Sequence, residues 1–320
     1  MPSPISRDDI RAAHLRIAPR IRRTPVLDSG RGAFGSDASV NLKLEFLQHA
    51  GSFKTRGAFN ALLAATVPEA GIAAASGGNH GAAVAYAARE LGHPARIFVP
   101  EIANPAKIEL IRRCGAAIVI AGARYADAQG ACDAYVAESG ALPIHPFSAV
   151  ETMAGQGTVA CEWDEQVDGL DTALVAVGGG GLVSGMAAWW AGAPGAARMK
   201  VVGVEPDGSR ALSAALAAGR PVDVDVQSIA ADSLGARNVG DLVLRAAQDH
   251  VDHVALVPDG AIVEAQRVLW RDVRIATEPG GAAALAALLS GAYRPARGER
   301  VGVLLCGANL DGPALAEIAT

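Results

Sequence analysis

Aromatic side chains make up only 4% of this 320-residue chain, and lysine occurs four times, at Lys43, Lys54, Lys107 and Lys200. With few large rings to fill a core, the elements must pack closely on small side chains, which 37 glycines and a share of alanine near about one fifth supply. There is no basic run, and the net charge is −5, so no electrostatic footprint for nucleic acid or an anionic membrane surface exists. The four cysteines (Cys114, Cys132, Cys161, Cys306) are widely separated, without a C-x-x-C pair. Arg and Asp interrupt the N-terminus where a secretory leader would need an apolar run, so reduced thiols and a cytoplasmic location are expected. Charged residues are scarce at 19% against 51% hydrophobic, which excludes a disordered chain. The run Thr172–Ala197 has no charge and is long enough to span a bilayer, but its glycines and Pro194 fit a turn between a buried strand and a buried helix better. These absences point to small-molecule chemistry, in a chain about twice the size of one domain.

From residue 70 onward, short apolar or β-branched runs alternate with alanine-rich helical patterns, the signature of βα units and a parallel sheet. A first series is expected as strands Ile72–Ser76, Ala95–Val99, Ala116–Ile120 and Leu142–His145, with helices through Ala82–Leu91, Pro105–Arg113 and Tyr125–Glu138. A second series is expected as strands Ala173–Val177, Lys200–Val204, His253–Val257 and Arg300–Leu305. Its helices are Thr152–Val167, Leu182–Trp190, Arg210–Ala218, Gly260–Ile275 and Gly280–Leu289. Ligands of such folds sit beyond the carboxyl ends of the strands.

Three glycine-rich loops fall at those turns: GSFKTRG (51–57), ASGGNHG (75–81) and VGGGGLVSG (177–185). Successive N–H groups at a helix start form an anion cradle, so a phosphate or carboxylate is the implied guest. The tetraglycine alone is ambiguous, since four glycines also permit tight helix–sheet packing. A dinucleotide fingerprint fails on spacing, because Val183 and Ser184 stand where the last Gly or Ala is required. Lys54 follows Phe53 at an apparent helix start. A dry, apolar setting and a helix N-terminus both lower an amine's pKa, which makes Lys54 a Schiff-base candidate rather than a solvated surface lysine. Cys306, in LLCGAN, stands at the end of the last strand, where a plain buried thiol is the alternative.

GSFKTRGAFN, SGGNHG, GQGT, GGGGL and LLCGAN, in this order and spacing, resemble the fold-type-II pyridoxal-phosphate enzymes of the serine/threonine dehydratase and serine racemase family. The resemblance spans nearly the whole chain. It implies an α/β fold like that of the tryptophan synthase β subunit, with two domains, each a twisted, mostly parallel sheet flanked by helices. Residues 48–147 would form a small domain inserted in a large one made of 1–47 and 148–320. Lys54 would bond the cofactor's aldehyde, Phe53 lie against its ring and Asn79 bond its ring hydroxyl. The loop Ser76, Gly77, Gly78, Asn79 and His80 would hold the substrate carboxylate. Gly178, Gly179, Gly180, Gly181 and Leu182 would cradle the phosphate, and Cys306 would meet the pyridine nitrogen without protonating it. Glu278 in EPGGA matches a segment lining the cofactor, and Asp232 is placed on the substrate side. The implied reaction removes the Cα proton with the Lys54 amine and expels the β-hydroxyl, giving a 2-oxo acid and ammonia. The implied partner is a small amino-acid substrate, and the implied assembly a homodimer.

Departures from the family pattern refine this. Racemases of the family carry a second serine where Gly77 stands, so negligible racemisation is expected. A divalent-cation site would use Glu205 and Ser209, but Ala211 replaces a carboxylate, and no metal ligand set is expected. His80 argues against the cysteine-synthase branch, whose loop carries Thr. The chain ends about fifteen residues after Cys306, so no C-terminal regulatory domain and a catabolic role are expected. His14, His49, His93, His145, His250 and His253 are assigned to surface or capping roles, and Lys43, Lys107 and Lys200 to ordinary surface ones. A hydroxyaspartate, phenylserine or diamino-acid lyase, or a racemase of the same fold, is the alternative; a non-catalytic metabolite-binding protein is more distant, since it would have lost Lys54.

Overall fold

The computed structural model describes residues 3–192 and 199–319. Ten strands alternate with helices: β1 (Val26–Arg31), β2 (Ser39–Lys43), β3 (Ile72–Ala75), β4 (Ala95–Val99), β5 (Ala117–Ile120), β6 (Leu142–Pro143), β7 (Thr172–Ala176), β8 (Lys200–Pro206), β9 (His253–Val257) and β10 (Arg300–Leu304). The helices are α1 (Arg7–Ile17), α2 (Lys54–Ala64), α3 (Asn79–Glu90), α4 (Pro105–Arg113), α5 (Tyr125–Ser139), α6 (Val150–Asp164), α7 (Gly181–Ala191), α8 (Ala211–Ala218), α9 (Ala231–Leu234), α10 (Asp241–His250), α11 (Asp259–Val273), α12 (Pro279–Leu289) and α13 (Gly312–Ala319). Two sheets result, one of order β1-β2-β10-β7-β8-β9 and one of order β5-β4-β3-β6. Every ladder is parallel except β1 with β2.

Strands covered by helices on both faces are apolar throughout, and β7 (TALVA) and β3 (IAAA) are buried at every position. The expected strands and helices are therefore found, shifted by a few residues; β6 stops at Pro143, and the helix expected from Thr152 runs from Val150 to Asp164. The uncharged run resolves into β7, a glycine turn and α7, while residues 193–197, Pro194 included, lie outside the described residues. Among the described residues no helix is long and apolar enough to cross a membrane. The hairpin β1–β2 and helices α1, α9, α10 and α13 lie outside the sequence expectation.

The small-residue composition has its use where α2, α6 and α7 meet. A Cβ added at Gly155 would lie 2.7 Å from the Gly57 Cα, one at Gly157 2.8 Å from the Gly185 carbonyl oxygen, and one at Gly185 2.3 Å from the Met153 carbonyl oxygen. The glycines of GQGT thus let three helices approach backbone to backbone and set α2, with Lys54 at its first position, on α6.

Beneath that contact lies a buried ionic network. Arg56 donates to Glu45 (2.5 and 3.0 Å) and Glu162 (2.9 Å), and Lys43 donates to Glu162 (2.6 Å), Gln166 (2.6 Å) and the Thr24 carbonyl (2.8 Å). Lys43 is fully buried, which corrects its surface assignment: a strand residue facing α6 must bury its stem, and the carboxylate there stabilises the ammonium.

Candidate active site

The crevice between the sheets is bounded by Lys54 and Phe53 on one side and by the turn Gly178–Leu182 on another, with Phe147, Ser233 and Leu234 closing it. Lys54 begins α2 with Phe53 as the preceding residue, and the Phe53 N–H is held by the Cys306 carbonyl (3.1 Å). The Lys54 ammonium lies 5.3 Å from the Phe53 ring centre and donates to the Pro146 carbonyl (2.7 Å). Among the described residues no carboxylate pairs with it, and burial pushes its pKa down to about 8 from 10.5, with only the Cys306 thiol opposing. The apolar setting expected for Lys54 is present, and burial is the cause.

Across the crevice, α7 starts at Gly181 behind Gly180, whose φ of +78° places it in the left-handed region. Among the described residues no side chain caps this helix, so the positive end of its dipole lies at the crevice. A Cβ at Gly179 would strike the Phe147 ring at 2.2 Å and one at Gly181 the Phe147 carbonyl oxygen at 2.6 Å, so Phe147 presses this turn into shape. Phe147 carries no signal in the sequence, because it lies on the loop joining two elements remote from the turn.

The second loop is held from three sides. The Ser76 Oγ accepts from the Gly78 N–H (3.2 Å), and Asn79 opens α3, its Nδ2 donating to Glu278 and its Oδ1 accepting from Asn309 (2.7 Å). Gly77 has no room for a side chain: a Cβ would sit 2.5 Å from that of Ala103. His80 differs from the expectation. Its ring is 5% exposed and bonded to the Ile144 carbonyl (2.9 Å), and burial, with Lys54 nearby, lowers its pKa to about 3. The ring anchors α3 to the end of β6, leaving the backbone as the part of His80 that can meet a ligand. Cys306 is 4% exposed, with Sγ 3.4 Å from the Gly280 carbonyl; burial and then Glu278 push the thiol up to about 12, so it stays neutral.

Lys107, expected as an ordinary surface lysine, is instead buried beside Gly78. It is 5% exposed, donates to Glu278 (2.9 Å) and pairs with Asp232. Burial lowers its pKa, but the two carboxylates outweigh that and hold it above the ordinary lysine value. Glu278 therefore joins Lys107 of α4 and Asn79 of α3 to the segment before α12. A Cβ at Gly78 would lie 3.3 Å from the Asp232 backbone oxygen, which brings Asp232 to the Ser76–His80 loop. Sequence reasoning misses Lys107 because its partners are distant in the chain. Elsewhere, the Glu205 carboxylate accepts from the Leu212 and Ser213 N–H groups (2.8 and 2.9 Å), and His145 accepts from the N–H groups of Phe147 and Ser148, a capping role.

A profile of the family described as pyridoxal-phosphate dependent enzyme matches residues 17–307. The chain is 38% identical over 306 residues to a phenylserine dehydratase from Ralstonia pickettii, covering 94% of this chain and 92% of that protein. It is 38% identical over 317 residues to a biosynthetic L-threonine dehydratase from Mycobacterium leprae, covering 96% of this chain and 73% of that one. The structure of maize serine racemase superposes with a TM-score of 0.90 at 36% identity, covering 98% of this chain and 96% of the other.

Proposed function

The chain belongs to the family of pyridoxal-phosphate dependent enzymes, and we propose that within it the protein is an ammonia-lyase converting a β-hydroxy amino acid, L-threonine or L-serine first, to a 2-oxo acid and ammonia. The residues fit the cofactor. An uncapped helix start suits its phosphate, an uncompensated amine its aldehyde, and a neutral buried thiol a ring nitrogen left unprotonated. When bound, pyridoxal phosphate supplies an electron sink that acidifies the Cα–H of a joined amino acid.

The chain's own groups do the rest. Lys54, its pKa lowered to about 8 by burial, is the amine that would bond the aldehyde and serve as base for the Cα proton. The N–H groups at the start of α3 and the loop from Ser76 hold the α-carboxylate, with the second Asn79 Nδ2 hydrogen free for the cofactor's hydroxyl. Gly178, Gly179, Gly180, Gly181 and Leu182 would hold the phosphate and Phe53 and Cys306 would bound the ring, while Glu278 fixes Asn79. Loss of the β-hydroxyl and hydrolysis of the resulting enamine sum to the release of ammonia. A homodimer and a cytoplasmic location go with this reading.

The observation that carries it is the pairing of Lys54 with Gly77. The pocket holds a basic amine, while at position 77 no acid–base side chain exists and Ala103 leaves no space for one. That favours elimination over racemisation. The test is a panel of L-serine, L-threonine and their β-aryl and β-carboxyl analogues, assayed for 2-oxo acid and for D-serine. Oxo acid from a β-hydroxy substrate without D-serine supports the proposal; D-serine formed from L-serine at a comparable rate overturns it.

A further inference from the structure

On the face of α6 that begins at Gly157 and looks toward α1, three metal-ligating side chains converge. Cys161 and Glu165 stand one helical turn apart, so both project toward the same side of the helix, and His14 of α1 meets them there. One ligand atom from each lies within 4.8 Å of the other two, and His14 Nε2 is 3.8 Å from a Glu165 oxygen. A tetrahedral ion with bonds of about 2.0–2.3 Å separates its ligand atoms by about 3.3–3.8 Å, so closing around one requires shifts of about 1 Å. Two of the donors lack partners: His14 Nδ1 is buried without a hydrogen bond, and the Cys161 thiol, 5% exposed, makes none among the described residues. Glu165 is half-exposed, which leaves an entry path and room for a water as fourth ligand.

We propose that His14, Cys161 and Glu165 form a binding site for a borderline divalent cation of the zinc class. The donor set of nitrogen, sulfur and one carboxylate oxygen selects against magnesium and calcium, which take oxygen ligands. The surrounding charges are balanced before binding. Arg23 lies 3.5 Å from Glu165, Arg7 reaches Asp164 at 4.0 Å, and the Asp164 oxygens accept from the indoles of Trp189 and Trp190. Burial, with Glu165 and Asp164, pushes the Cys161 thiol up to about 12, against Arg7 and Arg11. The carboxylates that disfavour a bare thiolate there are the ones that favour a dication beside it. On binding, the Cys161 S–H bond breaks, a sulfur–metal bond forms, and one proton per ion passes to solvent. The ion would tie α1 to α6, the helix whose Glu162 meets Arg56 two residues from Lys54.

Equilibrium dialysis of the holoenzyme against zinc chloride, with metal counted per chain, tests this. Wild type is expected to retain one ion that His14→Ala and Glu165→Gln, both on partly exposed side chains that leave the fold intact, bind at least tenfold more weakly. A cobalt difference spectrum should show a thiolate charge-transfer band that Cys161→Ser lacks, and zinc should raise the melting temperature of wild type but not of Glu165→Gln. No retained ion, or equal retention in wild type and both variants, overturns the proposal.

Discussion

Two cations two residues apart on α2 meet opposite fates. Arg56 is fully buried and clasped by Glu45 and Glu162, which outweigh the burial cost and hold its pKa above the ordinary arginine value. Lys54 is given a backbone carbonyl and no carboxylate, and its pKa falls to about 8. Lys107 repeats the Arg56 solution beside the Ser76–His80 loop, locked between Glu278 and Asp232. In the proposed reaction, reactivity would come from withholding a counter-charge at Lys54, while Arg56 and Lys107 are each given one.

The largest expected effect comes from removing the uncompensated amine. Lys54→Ala should lower 2-oxo acid release by at least about 10⁴-fold while the folded protein keeps its circular dichroism spectrum. Breaking the compensated partner acts on stability instead: Arg56→Met leaves two buried carboxylates facing each other and should cost about 3–5 kcal/mol in urea unfolding. Lys107→Met should cost less, about 1–3 kcal/mol, because Asp232 is half-exposed and Asn79 still donates to Glu278; Lys107→Arg should restore part of it.

A further effect concerns the pH dependence of the cofactor-free protein. The Lys54 pKa is about 8 in the folded protein against an ordinary 10.5 in the unfolded chain, so between those values the unfolded chain binds more protons and stability rises with pH. The wild-type urea midpoint should climb relative to Lys54→Met across that window. A flat difference would mean that Lys54 is solvated.

Much of the fold is legible in the sequence because its strands are doubly covered, so β4 (ARIFV) and β7 (TALVA) read as apolar blocks between helical patterns. The β1–β2 hairpin is not: VLDSGR is half-exposed and carries a bulge at Asp28–Gly30, so neither alternation nor an apolar block marks it. At the site, Lys54 and the glycine turns are visible because their chemistry is local to a motif. Lys107, Phe147 and the cluster at His14 are not, since each gains its meaning from partners brought by other helices and loops. His80 is visible as a motif residue but not in its role, because only the packing of α3 against β6 shows which way its ring turns.

The most direct test of the central claim reduces the holoenzyme with borohydride and maps the modified peptide by mass spectrometry. With Lys54, Lys43 and Lys107 all within the protein interior, the reduced cofactor is expected on Lys54 alone, the amine without a carboxylate. Label on Lys43 or Lys107 would contradict it.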